Sequence, residues 1–106
     1  MPLLAKDILP EFIEELRAML AKAGRLDLAE RVKELQFVDR CRCDDEFCSS
    51  FYTAPKPIGA YGPGHSNLVL SPKEGMVVLD LVNDEIRYVE VIDRRDVRDV
   101  LFASAP

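Results

Sequence analysis

The sequence predicts an α+β fold: an N-terminal helical hairpin packed on one face of a four- to five-stranded, mainly antiparallel sheet, closed by a short C-terminal helix. Three observations predict it. Apolar residues recur at three- and four-residue steps through the first third of the chain. The remainder carries short runs rich in β-branched and aromatic residues, separated by Gly, Pro, Asn and Asp. The end returns to a charged, helix-like pattern after Asp93.

The first helix spans residues 8–23. Ile8 or Leu9, Phe12, Leu16, Met19 and Ala23 form its inward stripe, widened by Ile13 and Leu20. Asp7 can cap it, Pro10 suits its first turn, and Gly24 is placed to stop it. A second, shorter helix spans 27–34, capped by Asp27 and facing inward through Leu28, Val32 and Leu35. The stripes read as core, and the intervening charges as a solvated surface.

Residues 35–54, LQFVDRCRCDDEFCSSFYTA, hold all three cysteines. They read as a β-hairpin with strands 35–43 and 47–54 turning on Asp44, Asp45 and Glu46, because a short carboxylate can bond nearby backbone N–H groups. If Cys43 faces Cys48, then Cys41 faces Ser50 and Asp39 faces Tyr52. Alternation then puts Phe37, Cys41, Cys43, Cys48 and Tyr52 on one face, and Arg40, Arg42 and Ser49 on the other. A slip of one residue would move Cys48 away from Cys43.

Residues 54–66, APKPIGAYGPGHS, read as a long loop, since its prolines and glycines forbid regular helix and disfavour a strand. Such a loop either connects, with His65 bonded to backbone, or lets the chain approach a ligand closely. A short strand at 67–70 follows, then a turn at 71–75 and a nearly continuous apolar strand at 76–82 that belongs inside the sheet. After a turn at 83–85, residues 86–92 alternate imperfectly: Ile86, Tyr88, Glu90 and Ile92 share one parity, and Arg87, Val89 and Val91 the other. Asp93 can cap a closing helical turn or two with Val97, Val100 and Leu101 inward. Arg94, Arg95 and Arg98 read as a surface cluster paired with Asp96 and Asp99.

The 106 residues suit one domain, and 48% hydrophobic content suffices for a core without staples. A formal net charge of −5 argues against a general nucleic-acid or anionic-membrane partner. No segment approaches the roughly 20 apolar residues that span a bilayer. An odd cysteine count without a signal-like N-terminus leads us to expect a reducing, cytoplasmic setting.

Three thiols on one face have three readings. They can be buried as small apolar side chains. Cys41, Cys43, Cys48 and His65 can form a closed three-sulfur, one-nitrogen zinc set, although Cys-x-Cys is tighter than the usual knuckle spacing. Cys43 and Cys48, directly opposed, can form a cross-strand disulfide. Phosphate-loop, Gly-x-Ser-x-Gly and His-Glu-x-x-His patterns are all absent, so no catalytic residue is assigned and an enzyme is disfavoured. Arg40-Cys41-Arg42-Cys43, Cys48-Ser49-Ser50-Phe51 and the stretch from Gly75 to Glu90 resemble small bacterial proteins of unassigned function. That resemblance implies a bacterial cytosolic source and no catalytic residues.

The leading expectation is a non-enzymatic protein-interaction module without a cofactor. Its working surface would be the hairpin and the long loop, where Arg40, Arg42, Tyr61, His65 and Asn67 could gather around another protein. A zinc-binding domain and a thiol-redox protein are the alternatives. A sheet edge left open by the 67–70 strand could also support a homodimer.

Overall fold

The structure is a computed structural model, and it describes residues 3–104. A short strand β1 (Leu3–Leu4) leads into α1 (Ala5–Ile8), α2 (Pro10–Lys22) and α3 (Leu26–Arg31), followed by a 3₁₀ turn over Val32–Glu34. Strands β2 (Gln36–Phe37), β3 (Asp39–Arg40), β4 (Phe51–Tyr52), β5 (His65–Leu70), β6 (Met76–Val82) and β7 (Glu85–Ile92) follow, then α4 (Arg95–Ser104). The main sheet is fully antiparallel in the order β3-β4-β7-β6-β5, and β1 pairs separately with β2. The expected α+β architecture is therefore present.

The long first helix breaks where Pro10 lacks an N–H. Pro10 opens α2, and Leu9 rather than Asp7 precedes it, without a side-chain cap. Its end matches expectation. Gly24 takes φ +80°, its N–H reaches Ala21 C=O, and Arg25 N–H reaches Leu20 C=O, the paired bonds of a Schellman stop. Arg25, not Asp27, precedes α3, and the Asp27 carboxylate instead pairs with the Arg25 guanidinium.

One core joins both layers. Phe12, Ile13, Leu16, Leu20, Leu28 and Val32 from the helical side meet Phe51, Val77, Leu79, Leu81, Val89 and Val91 from the sheet, sealed by Val97 and Leu101 of α4. Leu16, Phe51 and Val89 are wholly excluded from solvent. Each such side chain is worth about 1.5–3 kcal/mol of transfer free energy. The Phe51 ring stands edge-on to Phe12 and beside Phe37, with centroids 6.2 and 5.8 Å away.

Four expectations are corrected. The 35–54 hairpin pairs regularly only at Asp39↔Tyr52 and Arg40↔Phe51. Gln36 and Phe37 pair with β1 instead, so the ladder is interrupted at Val38 and Phe37 enters the core, away from the thiols. His65 and Ser66 belong to β5 rather than to the loop, extending the expected 67–70 strand to six residues. In β7, the pairing shifts between Asp80↔Tyr88 and Leu81↔Ile86, leaving Arg87 as an extra residue. This bulge flips the parity, so Ile86 is buried with Val89 and Val91 while Tyr88 faces outward. Finally, Arg94 is buried, not superficial: its guanidinium grips Glu15 of α2 at 2.8 Å and Asp96 at 3.0 Å. Among the described residues, no helix is long and apolar enough to cross a membrane.

Candidate metal centre

The helices cover one face of the sheet, and the opposite face carries the chemistry. One row of register partners crosses all five strands on that face: Asp39, Tyr52, Tyr88, Asp80 and Asn67. The Tyr52 and Tyr88 rings lie 4.5 Å apart at its centre.

The thiols gather at the β3–β4 end of this row. Cys41 continues the β3–β4 pairing through its N–H to Ser50 C=O at 2.8 Å, as the Asp39↔Tyr52 register requires. The segment then turns on Asp45. Its carboxylate accepts the Phe47 N–H at 2.8 Å, the Asp-backed turn the sequence suggests, and its C=O accepts the Cys48 N–H at 3.2 Å. Cys48 meets β7 as an isolated antiparallel bridge to Ile92. Beside it, Ser49 and Ser50 replace regular ladder contacts. Ser49 N–H and Ser50 Oγ–H both donate to Val91 C=O, and Val91 N–H donates to Ser50 Oγ. The result brings the Cys41, Cys43 and Cys48 sulfurs within 4.8 Å of one another. Cys48 is buried, Cys41 half-buried and Cys43 exposed.

The surroundings favour thiolate at Cys41 and oppose it at Cys43. Cys41 Sγ accepts the backbone N–H of Cys43, and Cys43 Sγ that of Asp45, the same two-residue step twice. Burial raises the Cys41 thiol, but hydrogen bonds from the Tyr88 hydroxyl, the Cys43 amide and the other two thiols outweigh it and hold it below the ordinary range. At Cys43 the Asp45 amide lowers the thiol. Burial and the Cys48 and Cys41 sulfurs raise it by more, to about 11. Of these two thiols Cys41 is therefore the readier to carry negative charge. Burial and then the Cys41 contact push the Tyr88 hydroxyl far above the ordinary phenol range, so it stays protonated and donates.

Two guanidiniums hold the loop from behind. Arg40 donates to Cys41 C=O at 3.2 Å, and Arg98 to Cys48 C=O at 2.7 Å and Asp45 C=O at 3.2 Å. Both stack on Phe102 of α4, 3.9 and 4.3 Å from its ring centroid. Arg42 pairs with Asp39 at 2.9 Å.

The remaining expected site residues lie at the other side of the sheet. His65 Nε2 is 2.6 Å from Asp80 Oδ1, Asn67 Nδ2 donates to the same oxygen at 2.6 Å, and the Tyr61 ring stacks 5.0 Å from the imidazole. Since β3 and β5 are the two outer strands, four strand spacings of about 4.8 Å separate Arg40 and Arg42 from His65 and Asn67, roughly 19 Å in all. The structure brings the three cysteines together and does not place His65 in their group. Tyr88, Ser50 and Arg98 complete the thiol site, and Asp80 the His65–Asn67 cluster, without any local signal in the sequence; only strand register and the β7–α4 corner reveal them. No known protein family, curated protein sequence or solved structure matches this chain.

Proposed function

We propose that this chain is a metal-binding module whose centre is the three-sulfur cluster of Cys41, Cys43 and Cys48, with zinc as its ion. The observation that carries the reading is the convergence of three sulfurs within 4.8 Å, supported by backbone N–H bonds to two of them. Tetrahedral zinc with Zn–S bonds of about 2.3 Å sets sulfurs about 3.8 Å apart, so closure by about 1 Å suffices. The segment can close because residues 41–47 lie outside regular strands. Three thiolates around a divalent ion leave one net negative charge, and Arg40 and Arg98 behind the loop offset it. The fourth position is supplied from outside this sulfur set, the arrangement of an open rather than a closed site.

The test is elemental analysis of tag-free protein together with cobalt titration. We expect one metal per chain, a thiolate-to-cobalt charge-transfer band, and loss of both in the Cys41→Ser and Cys48→Ser variants. Protein that retains no metal and gives no such band would sink the reading.

An interaction role has its own support at the opposite edge. Strand β5 closes the sheet order, and its sequence HSNLVL lacks the Lys, Pro or bulge that usually blunts an edge. Val69 and Met76 stand exposed on the outer face nearby, at 71% and 56%. We infer a second copy of the chain paired antiparallel along β5. Light scattering should show a dimer that Val69→Lys converts to monomer; a monomer at all concentrations excludes it.

A further inference from the structure

We propose that Cys43 is the exchange ligand of this centre: the ion enters and leaves by way of its sulfur, received from and surrendered to an incoming thiolate, while Cys41 and Cys48 anchor it. The inference rests on the metal reading above and adds how the site works.

Its basis is a gradient of attachment across the three cysteines. Cys48 is buried, bridged to Ile92, bonded through its N–H to Asp45 and through its C=O to Arg98. Cys41 is half-buried, with its N–H on Ser50, its C=O on Arg40 and its sulfur beside the Tyr88 hydroxyl. Cys43 is exposed, lies between the β3–β4 ladder and the Asp45 turn, and has no tie to the sheet comparable with those two. An ion here has two fixed ligands toward the protein, one displaceable ligand toward solvent, and one position that no nearby donor among the described residues fills.

Exchange then proceeds by addition. An incoming thiolate occupies the open position and its sulfur bonds the zinc. The Zn–Sγ bond to Cys43 breaks, and the Cys43 sulfur takes up a proton from water. A second thiolate of the acceptor can then displace the anchors in turn. Zinc stays divalent throughout, and no electron is transferred. The matching partner chemistry is a thiolate acceptor or donor of zinc, not a carboxylate-rich one, since thiolates are the ligands that compete for a soft, sulfur-bound ion.

The experiment uses the zinc-loaded full chain. Zinc transfer to glutathione and, separately, to a dithiol acceptor is followed by stopped flow. Limited alkylation with iodoacetamide is mapped by peptide mass spectrometry with and without zinc. We expect the transfer rate to double with each doubling of the dithiol, alone or together with the same dependence on glutathione. We also expect zinc to protect Cys41 and Cys48 strongly, so that Cys43 is the first site alkylated in the zinc-loaded protein. Dependence on the dithiol alone would identify a two-cysteine acceptor, and dependence on both a general thiolate acceptor; either supports the mechanism. A rate independent of thiol concentration, or equal protection of all three cysteines, overturns it while leaving the metal reading intact. Failure to bind zinc at all, with unchanged alkylation on adding the ion, overturns the metal reading and this inference together.

Discussion

At the scale of the residue, the chemistry of this protein depends on partners that lie far apart in sequence. Cys41 is an unremarkable thiol until Tyr88, more than forty positions on, donates to its sulfur. Arg94 shows the same point in the core. Its guanidinium links Glu15 on α2 and Asp96 on α4, and its bond to Asp96 holds that carboxyl below the usual range against the opposing effect of burial. A carboxyl depressed in the folded state stabilises the protein above its unfolded value of about 3.9, and the contribution fades as pH falls through the folded value. Asp96→Asn should therefore lower the urea midpoint by a constant amount from neutral pH down to the carboxylate range, and the gap to the parent should narrow in acid. A gap that stays constant into acid would show that the ion pair does not contribute. The effect is small, because the Asp96 side chain is 65% exposed.

At the scale of the element, boundaries were legible wherever backbone chemistry is local. Gly24 ends α2 as expected, since a left-handed φ acts at the residue itself, whereas the start moves from residue 8 to Pro10, whose missing N–H breaks the helix there. The Asp-backed turn before Cys48 was legible for the same reason. The parity of β7 was not, because its bulge at Arg87 is set by pairing with β6 rather than by residues 86–92 alone. Nor was the isolation of β2, which depends on β1 being available to pair with it. Gly75 offers a test at this level. It adopts φ +74°, and a Cβ there would sit 2.2 Å from Ile92 C=O, whereas Gly24 at φ +80° has open space around it. Both Gly→Ala changes should cost about 1–2 kcal/mol for the left-handed backbone, and Gly75→Ala should cost clearly more through the clash. Equal losses in denaturant unfolding would mean that the turn before β6 relaxes freely.

At the scale of the whole molecule, a single core and a single polar face divide the labour. The helices and α4 bury one side of the sheet, and the other is left to carry the Asp39–Tyr52–Tyr88–Asp80–Asn67 row with thiols at one end and the His65–Asp80 pair at the other. The expected gathering of Arg40, Arg42, Tyr61, His65 and Asn67 is thereby split between two edges. Alternation within each strand identified which side chains could share a face. It could not state how the strands are ordered, and that order sets the distance between sites. The sequence by itself determined the fold class, the amphipathic helices, the apolar strand β6, the existence of β7 and the stretch that holds the thiols, because periodicity and turn chemistry act over a few residues. Only the tertiary structure decided that the three sulfurs converge, that Tyr88 and Arg98 support them and that His65 lies elsewhere, because those facts depend on strand order and register, which are settled by long-range pairing and burial.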